Sequence, residues 1–293
     1  IRALHGGGYP IRQVISQPDR PAGRGRRLTP TPIARFALEH GLPLARTSDI
    51  NSLPLPAADL LVVIAFGQKV AASVIERFPL GAINLHASRL PKYRGAAPIP
   101  WAIIHGEPQT GNSVIRLAEK MDAGPILAMS SLPIGPTETA GELHDRLAAD
   151  GALLVLRVVN DLAAGKAMET PQDHSQATLA RKLSRDLARI DWQRPASEIA
   201  RLIRGMSPWP GCRVRLVAHG RTNTCLTLLR AAHEETDPAQ PARPGEILPN
   251  GAIAAGAGQV IVLDLQPEGG KPMSLEAFRH GHPWLAGMQL ESI

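Results

Sequence analysis

Apolar and polar positions alternate in short blocks from the N-terminus to about residue 165. Residues 12–16 read as a short strand, and residues 32–40 as a helix with Pro32 at its start and Gly41 just past its end. Within 59–65, Leu60, Leu61, Val62, Val63 and Ile64 form an unbroken apolar run, as a parallel strand covered on both faces requires. A helix near 70–77, a strand at 82–85 and a helix over 97–105 continue the alternation; Pro98 and Pro100 fall in the first turn of that helix, where proline is tolerated. Two strands at 112–118 and 126–134 precede a long helix, opened by a capping box from Thr139 to Glu142 and closed near Gly165. This succession predicts an α/β domain with crossover helices over residues 1–167.

Periodicity disappears over 166–180, where the composition turns polar, and residues 168–184 read as a linker. A helix from Pro195 to about Met206 leads through Ser207, Pro208, Trp209, Pro210 and Gly211 into a different texture. Cys212, Val214, Leu216 and Ala218 alternate with Arg213, Arg215 and Val217, the period of two that marks a half-buried strand. Short β segments recur at 224–229, 245–248, 251–255 and 260–265, separated by Gly, Pro and Asn turns. So many short strands predict a small antiparallel barrel over 185–293. The Pro/Ala-rich stretch 237–244 reads as a loop, and Trp209, between two prolines where the barrel begins, as an interdomain packing residue.

A length of 293 residues suits two domains of ordinary size. With 44% hydrophobic and 20% charged residues the chain can bury a core, which excludes wholesale disorder and a collagen-like fibre. No apolar run approaches the roughly 18 to 20 residues that cross a bilayer, and the N-terminus lacks a basic segment followed by an apolar stretch, so the cytoplasm is the expected compartment. Cys212 and Cys225 are too few for a disulfide framework or a four-ligand zinc site and read as small core residues. The net charge of +6 is carried largely by Arg, whose planar fork suits phosphates, although a GC-rich genome would give the same bulk ratio. Clustering is more telling than the total. Arg20, Arg24, Arg26 and Arg27 crowd into 19–28 with Gly23 and Gly25 between them, a composition too flexible to pack and too charged to bury.

Asn84 and His86 stand two apart at the end of a strand, so both point to one side at the carboxyl edge, where open α/β sheets hold ligands. Further on, Met121, Asp122, Ala123 and Gly124 form a loop that can bring a carboxylate close to that edge. An Asn, a His and an Asp together can hold an oxyanion, shift an imidazole's proton equilibrium and accept an amine proton. By residue type alone each is more often structural: strand-end Asn and His are usually satisfied polar groups, and Asp before Gly is usually a turn residue. Gly6, Gly7 and Gly8 have no preceding strand and no following Lys-Ser or Lys-Thr, so they do not make a phosphate loop. His280-Gly281-His282 lacks further ligands at metal-binding spacing and reads as a surface loop.

The ordered run Asn84-x-His86-x-Ser88-x-Leu90-Pro91-x-x-Arg94-Gly95-Ala96-Ala97-Pro98-Ile99, followed by Met121-Asp122-x-Gly124, resembles the signature of the folate-dependent formyltransferases. Within that superfamily the run Gln17, Pro18, Asp19, Arg20, Pro21, Ala22, Gly23, Arg24, Gly25 resembles the branch that acts on methionyl-tRNA. So do Lys182-Leu183-Ser184, the segment 188–192 and Pro208-Trp209-Pro210, and the resemblance covers essentially the whole chain. It implies a Rossmann-like, mostly parallel formyltransferase domain over 1–167, and an OB-like, tRNA-binding barrel over 185–293. The implied reaction moves a formyl group from 10-formyltetrahydrofolate, a donor substrate, to the α-amino group of methionine on initiator methionyl-tRNA, for translation initiation and without a metal.

By the same resemblance, Asn84 and His86 hydrogen-bond the reacting oxygen, while Asp122 holds His86 and takes part in proton transfer. Folate is expected along Phe66, Gly67, Ser88, Arg89, Leu90 and Pro91, and the tRNA acceptor end at Arg20, Arg24, Arg26 and Arg27. The expected partners are tRNA and folate, with no membrane and a monomeric chain. Because the family opens with a strand and a Gly-Thr-Pro loop that have no counterpart after Ile1, the opening strand is expected to be missing, with unpaired edges beside its place and the chain a fragment or a mis-assigned start. Two rivals remain: a formyltransferase for a small amine such as a sugar nucleotide, which needs neither the Arg loop nor the barrel, and a catalytically impaired tRNA-binding relative, against which Asn84, His86 and Asp122 argue. A nicotinamide-dependent oxidoreductase is further off, since no Gly-x-Gly-x-x-Gly occurs.

Overall fold

The computed structural model describes residues 1–22, 25–218, 221–235 and 242–293, so Arg24 and most of the Pro/Ala-rich stretch 237–244 lie outside the described residues. In chain order the elements of the first half are α1 (Arg2–Gly6), β1 (Val14–Ser16), β2 (Arg20–Ala22), β3 (Arg27–Thr29), α2 (Pro32–Glu39), β4 (Leu44–Arg46), β5 (Leu61–Ile64), α3 (Ala72–Ile75), β6 (Ala82–His86), α4 (Pro98–Ile104), β7 (Ser113–Arg116) and β8 (Ile126–Met129). There follow α5 (Ala140–Ala163), α6 (Ala196–Gly205), β9 (Cys212–Ala218), β10 (Arg221–Glu234), β11 (Ile253–Ala254), β12 (Gln259–Pro267), β13 (Met273–Ser274), α7 (Leu275–Arg279) and β14 (Gln289–Ser292). The chain forms two compact units: Ile1–Arg94 with Gly111–Ser130 and Ala148–Thr178, and Gly95–Thr110 with Ser131–Leu147 and Leu179–Ile293.

In the first unit β1 pairs in parallel with β4, and β5 in parallel with β6, which then pairs antiparallel with β7, and β7 with β8. Among the described residues β1 has only β4 as a partner, and β5 only β6. Ile83 and Val114 on the central strands pack against Leu154, Val155, Val158, Val159 and Leu162, a stripe at helical spacing along α5. A second cluster joins Ile50, Leu55, Val70, Val74 and Phe78. The apolar run of β5 is less covered than its composition suggested: Leu61, Val62 and Val63 are half-buried and Ile64 is 45% exposed. The helix expected over 70–77 shortens to the four residues of α3.

The second unit is built on an antiparallel sheet in the order β11–β12–β10–β9–β14, with β13 also on β12, a curled half-barrel of the OB-like kind. Bulges interrupt the β9–β10 register after Leu216 and the β10–β12 register on either side of Arg230, and bulges bend the strands that carry them. The alternation read in 212–218 holds: Cys212, Val214 and Leu216 are fully buried and pack with Ile199, Ala200 and Ile203 of α6. The strand expected at 224–229 runs much further, as the 14-residue β10, whose pairing with β12 continues through Ala231, Ala232, His233 and Glu234. The capping box is present: Thr139 N–H donates to Glu142 Oε2 at 3.0 Å and Glu142 N–H to Thr139 Oγ1 at 3.4 Å.

Two sequence readings are corrected. Cys212 is a core residue, with burial pushing its thiol up to about 12, but Cys225 is only half-buried. The segment 168–184 is ordered structure and not a bare linker: Thr170 bridges Ile126, and Gln172, Ala180 and Leu183 are buried. No helix of the described residues is long and apolar enough to cross a membrane.

Candidate active site

Asn84 and His86 occupy alternate positions at the carboxyl end of β6, where Asn84 lies opposite Val63 of β5 and Ile115 of β7, and His86 opposite Ser113. His86 is buried, and its Nε2 lies 2.8 Å from the Tyr93 carbonyl oxygen. A carbonyl only accepts, so Nε2 carries the proton and Nδ1 is the nitrogen free to exchange one. Nδ1 faces Asp122 Oδ2 at 3.6 Å, while Asn84 Nδ2 approaches Asp122 Oδ1 at 3.5 Å. Both contacts are long for hydrogen bonds. The amide, the imidazole and the carboxylate therefore converge at one end of the sheet, at separations of 3.5 and 3.6 Å.

The loop that delivers Asp122 is unusual in its backbone. Asp122 sits in the left-handed region with φ of 53°, and at Gly124 a Cβ would collide with the Arg116 carbonyl, which is why a Gly follows the carboxylate two positions on.

Of the residues expected to hold folate, Ser88 and Leu90 are buried, to 0% and 3% exposure. Ser113 Oγ donates to the Ser88 carbonyl at 2.7 Å and accepts from Leu90 N–H at 3.1 Å, and Ser88 Oγ donates to the Lys92 carbonyl. Arg89 is exposed and Pro91 half-buried, so these two remain presentable. Phe66 and Gly67 follow β5 at the same carboxyl edge; Ala65 and Gly67 both take positive φ, and the Phe66 carbonyl accepts from Gln17 Nε2 at 2.9 Å.

Among the described residues of 19–28, two strands pair where the composition suggested an unpacked loop. β2 and β3 run antiparallel as the β2–β3 hairpin, with Arg20 opposite Thr29 and Ala22 opposite Arg27, braced at its root by an Arg46–Asp19 ion pair of 2.8 Å. Cross-strand backbone pairing satisfies the peptide groups and leaves the side chains of Arg20, Arg26 and Arg27 exposed. Arg24 lies outside the described residues. The Gln17 bond ties the hairpin root to the Phe66 turn. His280 and His282 are exposed, His282 stacking on Phe278, and among the described residues no group of three or more His, Cys, Asp or Glu is placed to hold a metal ion.

Sequence reasoning passed over Ser113, Arg94 and Gln172. Arg94 belongs to the quoted motif, but nothing in the local pattern marks Ser113 or Gln172, whose partners are remote in the chain.

The first unit thus presents an Asn and a His at the carboxyl end of a parallel β pair to a loop carboxylate, and the second unit is OB-like. The formyl transferase family matches residues 1–159 and the formyl transferase C-terminal domain matches residues 182–283, and the chain belongs to the formyl transferase family. It is 39% identical to the methionyl-tRNA formyltransferase of Methylococcus capsulatus, over 99% of this chain and 94% of that protein. It is likewise 39% identical to the methionyl-tRNA formyltransferase of Moorella thermoacetica, over 98% of this chain and 93% of that one. Among solved structures, HypX from Aquifex aeolicus in complex with tetrahydrofolic acid shares the fold with a TM-score of 0.56 at 21% identity; the match covers 76% of this chain and 38% of HypX.

Proposed function

We propose that the chain transfers the formyl group of 10-formyltetrahydrofolate to the α-amino group of methionine on initiator methionyl-tRNA. The observation that carries this reading is the convergence of Asn84, His86 Nδ1 and Asp122 at one sheet edge, in a chain whose likeness to methionyl-tRNA formyltransferases runs almost from end to end.

In the reaction the amine nitrogen attacks the formyl carbon and leaves a tetrahedral carbon bearing an oxyanion. Asn84 Nδ2–H and a protonated His86 Nδ1 donate to that oxygen, and Asp122 stabilises the imidazolium and accepts the proton of the attacking amine. Collapse breaks the bond from carbon to folate nitrogen; that nitrogen takes up the proton, and the amide bond to methionine remains. Burial of His86 and Asp122 strengthens these interactions by excluding water.

Folate lies, on this reading, against Phe66, Gly67, Arg89 and Pro91, where turned backbone and an apolar wall suit a flat heterocycle. The exposed arginines of the β2–β3 hairpin, with Arg24, contact the tRNA acceptor end, and the OB-like unit over 185–293 adds a further tRNA surface. The chain acts as a monomer in the cytoplasm, where initiator tRNA is used. A small-amine formyltransferase needs neither the hairpin nor the second unit.

The test is incubation with 10-formyltetrahydrofolate and, in parallel, methionyl-tRNA, free methionine or an amino-sugar nucleotide. Formylation of the tRNA-linked amine alone is expected. Transfer to the sugar and not to the tRNA overturns the substrate assignment, and no transfer to any acceptor overturns the reaction.

A further inference from the structure

The polar stretch after α5 closes over the back of the Asp122 loop. Gln172 is buried at 7% exposure, and its Nε2 donates to two backbone carbonyls of that loop, Asp122 O at 2.8 Å and Gly124 O at 2.7 Å. Its Oε1 accepts from Arg94 Nε at 3.2 Å and Nη2 at 2.6 Å. Every capacity of the amide that the geometry reaches is used, and the orientation is forced. A flipped amide sets its oxygen against two carbonyl oxygens and its NH₂ against a guanidinium.

Arg94 directly follows Tyr93, whose carbonyl holds His86 Nε2. Tyr93 N–H donates to Thr178 Oγ1 at 2.9 Å, and Arg94 N–H to the Thr178 carbonyl at 2.9 Å. One stretch, 172–178, thus grips the backbone on both sides of the His86–Asp122 pair. Asp122 is also the residue that needs gripping, since a side chain at φ of 53° persists only where its surroundings determine it.

We propose that Gln172 is a positioning residue for proton transfer: through the carbonyls of Asp122 and Gly124 it sets the separation of Asp122 from His86, and Arg94 orients it. The proposal rests on the formyltransferase reading above. Gln172 touches neither substrate in that reading and acts through Asp122, so its removal lowers turnover without weakening the binding of folate or tRNA.

The experiment compares the parent with Gln172→Met, which keeps the length of the side chain and loses both donors, and with Arg94→Lys, which keeps the charge and loses the fork. Formyl transfer to methionyl-tRNA is measured with each substrate varied in turn. A misplacement of a reacting group by about 1 Å costs up to about 10²-fold in rate. Gln172→Met is therefore expected to lower kcat between about 10- and 100-fold, with both KM values within about twofold of the parent, and Arg94→Lys is expected to give a smaller loss of the same kind. Parent-like kcat in folded Gln172→Met overturns the proposal, as does a rise in KM that accounts for the whole loss. If Gln172→Met does not fold, Arg94→Lys decides: unchanged kcat overturns the proposal, and lowered kcat at constant KM supports it. An inactive parent overturns the reading on which the proposal rests, and with it the proposal.

Discussion

His86 illustrates how a single carbonyl assigns a role. With Nε2–H committed to Tyr93 O, Nδ1 is the ring nitrogen that faces Asp122, at 3.6 Å, and in the proposed reaction it is the one that would meet the reacting oxygen. Asn84, Asp122 and His86 are accordingly expected to matter for rate more than for folding. Replacement of any one by Ala should leave the circular-dichroism spectrum and melting profile near those of the parent and lower kcat, by about 10² to 10³ for Asn84 and His86, the usual loss for one oxyanion donor. Turnover within about threefold of the parent in purified His86→Ala removes that residue from the chemistry. The position of Asn84 and His86 was legible in the sequence because a strand places alternate residues on one side. The partner of Nε2 was not, since a backbone carbonyl carries no sequence signal.

At the scale of elements the β2–β3 hairpin shows composition and structure pulling apart. Arg and Gly in quick succession suggest an unpacked loop, yet antiparallel pairing with its root braced by Arg46 and Asp19 orders the backbone and still leaves the guanidinium groups outside. An ordered hairpin presents its charges with less entropy left to lose on binding. If Arg26 and Arg27 each meet one phosphate of the single-stranded acceptor end, each adds about 0.7 to the slope of log affinity against log salt. The double change Arg26→Ala, Arg27→Ala should then weaken methionyl-tRNA binding and flatten that slope by about 1.4, with folate affinity nearly unchanged. Equal slopes for parent and variant, from isotherms at several salt concentrations, exclude the hairpin from the contact.

Across the whole molecule, a strongly perturbed carboxyl need not mark a site: in the second unit one is structural. Arg230, hydrogen-bonded to Glu142 and Asp264, joins the first turn of α5 to strands β10 and β12 within the second unit. The Arg230 hydrogen bond, ahead of the bonds from Thr139, holds the Glu142 carboxyl at about 2 against its ordinary 4.5, and the paired carboxylates hold the guanidinium above its own ordinary value. A depressed carboxyl stabilises the fold in full above its unfolded value and loses that contribution as pH falls through its folded one. Relative to the parent, Glu142→Gln should lower Tm by a few degrees at pH 7, and the gap should narrow as pH falls from 4.5 towards 2. Solvent exposure and salt screening keep the gap small, so added salt should shrink it too. A gap that widens in acid assigns the stabilisation elsewhere.

The sequence by itself determined the kinds of element, their order and the two residues of the site that share a strand. Hydrophobic period, proline placement and capping are local properties, which is why the boundaries of α4, α5, α6 and β9 were readable before any contact was known. The order of motifs was equally legible and carried the family. Tertiary structure alone decided what lies beside what. It left Ile64 of β5 exposed and turned Ser88 and Leu90 inward onto Ser113. It also brought Gln172 to carbonyls 50 and 48 positions away, out of a stretch with no period at all. An amide that clamps a backbone loop is specified by the geometry of the carbonyls it meets, and those are set only when distant segments of the chain have packed.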